Sequence, residues 1–155
     1  MSTRKITRII AIAVVANVAA LTSASFGVAS VSASARRGEL HVMKECSQYN
    51  GTAGSFCTIT SSNLTEILVG SRVYYDQAAG IPTGLLDSNV VLDAGNGDRA
   101  VGRCTLDFST GLGLCLFSDG TGRFSGFQAR VEVSYLGGPD WAWDGIYSLT
   151  PRADR

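Results

Sequence analysis

The stretch from Leu112 to Leu149 constrains the fold most, because apolar and polar residues alternate along it without a helical period. In its central segment, apolar residues alternate with polar ones. The apolar residues are Phe127, Ala129, Val131 and Val133, and the polar residues are Gln128, Arg130, Glu132 and Ser134. Successive side chains of a strand point to opposite faces, so this alternation predicts an antiparallel strand with one buried face.

The segments on either side of this strand carry glycines at informative places. Trp141, Trp143, Tyr147 and Leu149 share one strand face with Gly145, whose missing side chain predicts a sharp bend or a close neighbour. The run Asp119-Gly120-Thr121-Gly122 holds two residues that tolerate positive φ. It therefore predicts a reversal of the chain at about Gly120 to Gly122.

Two motifs carry a resemblance to a known family. The run DGTGRFSGFQARV, from Asp119 to Val131, resembles the G-[ST]-G-x-F-x-G-x-x-[GA]-x-V run of allene oxide cyclases, and it is similar to the G-T-G-x-F run of plant dirigent proteins. VGSRVYY, from Val69 to Tyr75, stands where that family has a V-G-[SD]-[RK] strand. As a whole, Cys57 to Leu149 resembles bacterial secreted proteins described as allene oxide cyclase barrel-like. The resemblance implies an all-β fold, a closed antiparallel barrel of about eight strands with a lipocalin-like (calycin-like) shape.

The same resemblance implies a kind of function. Allene oxide cyclases fold a fatty-acid epoxide inside an apolar barrel, and dirigent proteins orient two phenoxy radicals, in both cases without a cofactor in the barrel. Holding reactive atoms in place can lower a barrier without any attacking side chain. The resemblance thus implies a small apolar ligand, lipid-like or phenolic, that is bound or steered in an isomerase-like cyclisation or a coupling. The catalytic E-x-N of the cyclases has its nearest counterpart in Glu45-Cys46-Ser47, which differs at the third residue.

The N-terminal 35 residues have the pattern of a secretory signal peptide. Arg4, Lys5 and Arg8 precede the uncharged run Ile9 to Leu21, and a small-residue tract ends at Ala35. The run is shorter than the roughly 20 residues of a membrane helix. We therefore expect a signal peptide at 1–35, one barrel domain at 36–155, secretion to the extracellular space or periplasm, and no membrane association after cleavage.

The charge balance and the histidine content of the chain argue against several classes of function. The chain has 13 basic and 13 acidic residues, and loss of Arg4, Lys5 and Arg8 leaves 10 basic residues against 13, a net charge of about −3. Such a chain without a basic cluster gives nucleic acid little to bind. His41 is the only histidine, so neither a histidine triad nor a multi-histidine metal site is expected. Asp93, Asn96 and Asp98 lack the spacing of an EF-hand, and we interpret them as turn residues.

All four cysteines lie after the signal peptide, which predicts two disulfides in an oxidising compartment. Three pairings are open. We favour Cys46 with Cys57 and Cys104 with Cys115, because each pair is 11 positions apart and encloses a turn signal. A metal or redox site would need a C-x-x-C motif, which is missing.

The alternating segments predict eight strands joined mostly by short turns. Their approximate bounds are 40–46, 56–62, 67–76, 88–94, 99–108, 112–118, 123–134 and 141–149. The longer segment Gln77 to Asp87 reads as an irregular loop, either a flap at the barrel rim or an ordinary connector.

Several polar and aromatic residues are candidate site residues. Arg72 and Asp76 share a strand face with Tyr74, and Arg103 shares one with Asp107. A barrel that pointed either face inward would hold a buried ion pair, Arg72 with Asp76 or Arg103 with Asp107; otherwise these are solvent-facing residues of the outer wall. The catalytic candidates are Glu45, Arg72 and Asp76. Candidate ligand-binding residues, which would otherwise be core filling, are Tyr74, Trp141, Trp143 and Tyr147.

Two hypotheses of function follow, a barrel with an apolar ligand pocket and a non-enzymatic barrel acting as a structural or protein-interaction module. Leu114 and Leu116 alternate with Cys115 and Phe117, so one strand is apolar on both faces. Such a strand is covered on both sides, by a homo-oligomer or by a folded-over loop. An empty apolar cavity above about 300 Å³ would favour the ligand, and a filled interior would favour the module.

Overall fold

The computed structural model describes residues 34–150, which form an all-β barrel. The predicted signal peptide lies, except for its last two residues, outside this described part. Eight strands follow in chain order: β1 (Arg36–Glu45), β2 (Phe56–Ser62), β3 (Arg72–Tyr75), β4 (Leu85–Asp93), β5 (Arg99–Asp107), β6 (Leu112–Thr121), β7 (Phe127–Gly137) and β8 (Asp140–Leu149). Within residues 34–150 the helical structure is one 3-10 turn, Gly122–Phe124, and no helix is long and apolar enough to cross a membrane.

The sheet closes on itself, as the sequence predicted. Each strand pairs antiparallel with the next, and β8 returns to pair with β1 along ten residues, from Arg36 opposite Leu149 to Glu45 opposite Asp140. Closure removes exposed strand edges. It also fixes which residues face inward, because the side-chain period of two must agree on all eight strands.

The apolar face of each strand points into the barrel and fills it. In β7 the predicted apolar set is buried while Gln128, Arg130 and Glu132 are exposed. In β8 Trp143 and Leu149 are buried. Rings from neighbouring strands contact one another inside, with centroids 5.4 Å apart for Phe117 and Trp143 and 6.0 Å apart for Phe117 and Phe127. The interior is thus a packed core of side chains.

Gly145 has a close neighbour, which was one of the two expected alternatives. A Cβ atom at Gly145 would overlap the carbonyl oxygen of Arg130 and lie 2.8 Å from the Cα atom of Val131. These are backbone atoms of β7, so any side chain at Gly145 would push the two strands apart.

The chain reverses slightly later than predicted. Gly120 belongs to β6, and its missing side chain leaves room for the carbonyl of Arg99 and for Phe124. The positive φ angles occur at Gly122 (58°), the first residue of the 3-10 turn, and at Gly126 (73°), two residues after its end. The glycine-rich run therefore combines a close approach of strands with a turn.

The third strand is shorter than predicted, four residues in place of ten. Ile67, the first residue of the predicted strand, lies in the preceding loop together with Leu64, where the two are 3% and 4% exposed and cover one end of the core. The backbone hydrogen bond from Ile67 N to Leu64 O closes a turn there. Buried loop residues gave the same apolar signal as a strand.

Both predicted cysteine pairs are confirmed. Cys46 is bonded to Cys57 and Cys104 to Cys115, with Cα atoms 4.2 Å and 4.1 Å apart. Cys104 and Cys115 are directly opposite in the β5–β6 ladder, whereas Cys46 follows the last residue of β1. Each disulfide joins two strands that are adjacent in sequence.

Candidate functional site

A lysine occupies the inside of the barrel near the end of β1. Leu40, Val42 and Lys44 alternate along this strand and are 1%, 2% and 3% exposed. The period of two therefore carries Lys44 onto the apolar face. A β-bulge interrupts the pairing with β2 between Met43 and Lys44. Bulges redirect side chains and are common beside functional sites.

The Lys44 amine contacts aromatic residues instead of a carboxylate. Its Nζ donates a hydrogen bond of 2.6 Å to the Tyr75 hydroxyl. It also lies 4.4 Å from the ring centroid of Trp143 and 5.4 Å from that of Tyr75. In the part of the chain that the structure describes, no ion pair includes Lys44.

Burial changes the protonation of both partners. Removal from water disfavours the ammonium form and lowers the pKa of Lys44 to about 7. Burial, followed by the nearby Tyr49, raises the pKa of Tyr75 above its ordinary value. Near neutral pH the lysine is thus divided between amine and ammonium, while the tyrosine keeps its proton.

The surroundings of Lys44 contain polar atoms without partners. The Tyr49 hydroxyl and the Trp143 indole Nε1 are buried and make no hydrogen bond. Most buried polar groups are hydrogen-bonded, so each unpaired one requires an explanation. Trp143 lies under the Lys44 amine and Tyr49 contacts Tyr75, so both unpaired groups belong to residues that surround the lysine.

Aromatic side chains close the barrel at this end. Tyr49 contacts Tyr75 with ring centroids 4.9 Å apart and Phe108 at 6.2 Å, and Phe108 contacts Trp141 at 6.2 Å. Tyr49, Phe108 and Trp141 are half-buried. We call Tyr49, Tyr75, Phe108 and Trp141 the aromatic end. It lies at the end of the barrel where the loops that follow β1, β3, β5 and β7 are found, and Tyr49 and Phe108 belong to two of these loops.

The loop from 76 to 84, expected as a flap or a connector, is bonded to its neighbours. Ala79 N donates to Gly51 O at 2.9 Å, and Phe108 N donates to Gly84 O at 3.0 Å. It therefore links the β1–β2 loop to the β5–β6 turn beside the aromatic end.

Two catalytic candidates, Arg72 in β3 and Asp76 directly after it, lie on the outer wall. Arg72 and Asp76 are exposed and Tyr74 is half-buried. The Arg72 guanidinium lies 4.8 Å from the Phe56 ring centroid and donates to the Tyr74 hydroxyl at 3.3 Å. The face that these residues share points outward, so the buried ion pair considered for it does not form.

Arg103 is also on the outer wall, and its partner differs from the one considered. It donates to both carboxylate oxygens of Asp87 at 2.8 Å, across the β4–β5 ladder. Asp107 instead accepts hydrogen bonds from Ser109 in the following turn, which lowers its pKa.

Glu45 lies at the barrel rim, adjacent in sequence to the interior site. It is half-buried, and its carboxylate accepts a hydrogen bond of 2.6 Å from Ser47 N. The inward position at the end of β1 belongs to Lys44. The strand that the resemblance implied would hold a catalytic carboxylate therefore presents an amine to the interior.

The three aromatic candidates of β8 all lie on its inward face, at different depths. Trp143 is fully buried beneath the Lys44 amine, and Trp141 is directly opposite Lys44 in the β1–β8 ladder. Tyr147 lies further along the strand, opposite Gly38. Trp141 and Trp143 are thus near Lys44, and Tyr147 is toward the other end.

Sequence reasoning missed Lys44, although two signals mark it. It is the only lysine after Lys5, every other later cation being an arginine. It also continues the apolar alternation of Leu40 and Val42. A lone lysine on the apolar face of a strand is the pattern that would have found this site.

Large clefts lie on the outer wall. One of about 700 Å³ runs over β6, β7, β8 and β1. Its lining includes Leu116, Arg130 and Ile146 and also Tyr147, one of the predicted ligand-binding residues. Another, of about 480 Å³, includes Arg72, Tyr74 and Asp93. Within residues 34–150, no group of three or more histidine, cysteine or acidic residues is arranged to hold a metal.

The arrangement defines a class of protein: a closed eight-stranded antiparallel barrel, fastened by two disulfides, with one amine in a packed aromatic interior. No family model, curated protein or solved structure matches the chain.

Proposed function

We propose that the protein is a secreted barrel that binds a small apolar molecule, lipid-like or phenolic, through one oxygen-bearing group that contacts Lys44. The observation that carries the proposal is the buried amine without a carboxylate partner. A buried amine costs free energy that an apolar residue of similar size would not cost. A ligand oxygen would accept a hydrogen bond from Lys44 in the otherwise apolar interior.

The chemistry of the ligand follows from the walls of the site. Aromatic rings favour an apolar body, and the lysine favours an acceptor such as a carboxylate, phenolate or carbonyl. The resemblance of the Asp119–Val131 run to allene oxide cyclases and dirigent proteins supports the same ligand class. It also supports a cyclisation or coupling steered by position without a cofactor.

The packed interior meets the volume criterion for the interaction module, so the ligand proposal stands on the buried amine without a carboxylate partner. Because the interior is filled, entry of a ligand requires the aromatic end to open. Tyr49 and Trp141 are half-buried and belong to the rim, so rotation of these rings exposes the Lys44 amine without breaking the strand ladders. The two disulfides are compatible with an oxidising compartment. They support export to the extracellular space or periplasm.

Calorimetry tests the proposal by measuring the binding of decanoic acid and of 4-hydroxybenzoic acid to the exported, oxidised protein. We expect at least one acid to bind. Lys44→Met should weaken its affinity by about tenfold, because one charge-assisted hydrogen bond is lost. Arg103→Met, on the outer wall, is the matched control and should leave affinity unchanged. Absence of binding by both acids, or equal affinity in Lys44→Met, would overturn the proposal.

A second candidate, a non-enzymatic interaction module, is favoured by the outer face of β6. Leu112 and Leu116 are 61% and 48% exposed, and within residues 34–150 no loop covers them. The occupant that fits is a second copy of this chain, because each side of the leucines carries both charges, Arg103 with Asp87 and Arg130 with Glu132. A face with balanced charges does not repel its own copy.

Sedimentation of the exported protein over a range of concentrations tests this homo-oligomer. We expect a dimer that the double variant Leu112→Glu/Leu116→Glu converts to a monomer, while Val69→Glu, at an exposed position elsewhere, leaves it intact. A monomer at every concentration of the unaltered protein would exclude the second candidate.

A further inference from the structure

We propose that Lys44 forms a covalent imine with the aldehyde or ketone group of a small apolar molecule. The geometry is a buried amine held 2.6 Å from a phenolic hydroxyl and over an indole ring, with no carboxylate beside it. The inference rests on the proposed function, since the carbonyl compound must enter the same interior site.

The first requirement is a neutral amine. An ordinary lysine is almost wholly protonated at neutral pH, with roughly one amine in a thousand neutral. Burial lowers the pKa of Lys44 to about 7, so a large fraction carries the free lone pair. Desolvation of this kind is one way in which proteins activate a lysine nucleophile.

The step balances without any further reactant. The Nζ lone pair attacks the carbonyl carbon, and the carbonyl electron pair passes to its oxygen, which takes the proton of the Tyr75 hydroxyl. A proton from Nζ returns to the Tyr75 oxygen, which gives a carbinolamine. The carbinolamine hydroxyl then takes the Tyr75 proton and leaves as water while the nitrogen lone pair forms the C=N bond, which gives a protonated imine. Transfer of the remaining N–H proton to the Tyr75 oxygen gives the neutral imine and restores the tyrosine. One amine and one carbonyl thus give one imine and one water, with no change of oxidation state.

Tyr75 is placed to relay these protons. Its hydroxyl is the hydrogen-bond partner of Nζ, and burial raises its pKa, so it remains a proton donor at neutral pH. It is therefore a positioning and proton-transfer residue in this reaction.

The interior also stabilises the product. A protonated imine is a cation, and its nitrogen would occupy the position of Nζ, 4.4 Å from the Trp143 ring centroid. The face of an indole attracts a cation, more strongly where water is excluded. The ring thus takes the place of the carboxylate counterion that the site lacks.

The experiment uses decanal and 4-hydroxybenzaldehyde with sodium cyanoborohydride at pH 7, on the exported, oxidised protein. Reduction fixes the imine as a secondary amine, which intact mass and peptide mapping locate. Because Lys44 is the only lysine after Lys5, the map is unambiguous. We expect one adduct on Lys44.

The matched control is the double variant Lys44→Arg/Arg130→Lys, which moves the single lysine to the outer wall. Its adduct should form at least tenfold more slowly at pH 7, and its rate should rise steeply above pH 9, whereas the Lys44 rate should level off above pH 8. Tyr75→Phe should slow the Lys44 adduct by about tenfold while decanoic acid still binds. An adduct confined to the N-terminal amine, or an outer-wall lysine as reactive as Lys44, would overturn the inference.

Decanoic acid binding in the same preparation separates the two proposals. Binding without an adduct on Lys44 overturns the imine and leaves the binding function standing. Neither binding nor an adduct overturns both.

Discussion

At the scale of single residues, Lys44 couples stability to pH. Its folded pKa of about 7 lies below the ordinary lysine value of 10.5. Between these values the unfolded chain binds more protons than the folded chain, so stability rises with pH. Below pH 7 both states are protonated, and the contribution becomes constant. Tyr75 and its neighbour Tyr49 have raised pKa values and keep their protons in this range.

We predict that the free energy of unfolding rises with pH because of Lys44, and that Lys44→Met removes this pH dependence. Between pH 7 and 9 the free energy of unfolding should rise by up to about 1.4 kcal/mol per pH unit in the unaltered protein relative to Lys44→Met. Urea denaturation at a series of pH values measures it. Parallel curves for the two proteins would show that the amine does not titrate in this range.

Gly145 tests how closely β7 and β8 approach. Gly145→Ala should lower the free energy of unfolding by about 3 kcal/mol, because the new methyl group overlaps backbone atoms of Arg130 and Val131 that cannot move alone. Gly38→Ala is the matched control, since its Cβ would meet only the Tyr147 ring, at 3.2 Å. Chemical denaturation of both variants checks this, and equal losses would contradict the explanation.

At the scale of elements, the two disulfides should differ in what they contribute. Each closes a short loop, worth about 3 kcal/mol in the chain-entropy model. Cys104 and Cys115 are also fully buried, whereas Cys46 is half-buried. Replacing the central pair by alanine leaves a cavity as well.

We therefore expect Cys104→Ala/Cys115→Ala to lower the free energy of unfolding by about 1–2 kcal/mol more than Cys46→Ala/Cys57→Ala does. The additional loss arises from the cavity. Urea denaturation of the two double variants measures the difference. A larger loss for the Cys46–Cys57 pair would indicate that ordering of the β1–β2 loop outweighs core packing.

The elements also show what the sequence could predict. β8 was predicted to within one residue, whereas β7 was predicted as 123–134 and spans Phe127–Gly137. In both strands the long, unbroken alternation identified the buried face. The predicted third strand, 67–76, begins five residues before β3, because Ile67 covers the core from a loop, and the burial of a loop residue looks the same in sequence as the burial of a strand residue. The glycine run was interpreted as a turn throughout, whereas Gly120 serves a strand contact and Gly122 the turn.

At the scale of the whole molecule, closure decides which faces are inside. Alternation assigned Arg72, Tyr74 and Asp76 to one face but did not say which side of the barrel that face would take. The pairing of β1 with β8 joins segments about a hundred residues apart, and it places Lys44 over Trp143. No local pattern contains that contact, so the site emerges only once the barrel is closed.

Closure also leaves the aromatic end as the route to the amine, and this gives a kinetic prediction. Trp141 contacts Phe108 and Tyr135, with ring centroids 6.2 Å and 4.9 Å apart, and it is opposite Lys44. Trp141→Ala should remove part of the barrier to entry and raise the association rate of decanoic acid about tenfold.

Tyr147→Ala is the matched control, because Tyr147 is an inward-facing, half-buried ring of the same strand, six residues or roughly 20 Å away. Stopped-flow fluorescence of Trp143, which both variants retain, measures the two association rates. If the ligand enters past the aromatic end, only the Trp141→Ala variant binds decanoic acid faster than the unaltered protein. An equal or greater gain in Tyr147→Ala would place the entrance at the opposite end of the barrel, where Leu64 and Ile67 cover the core.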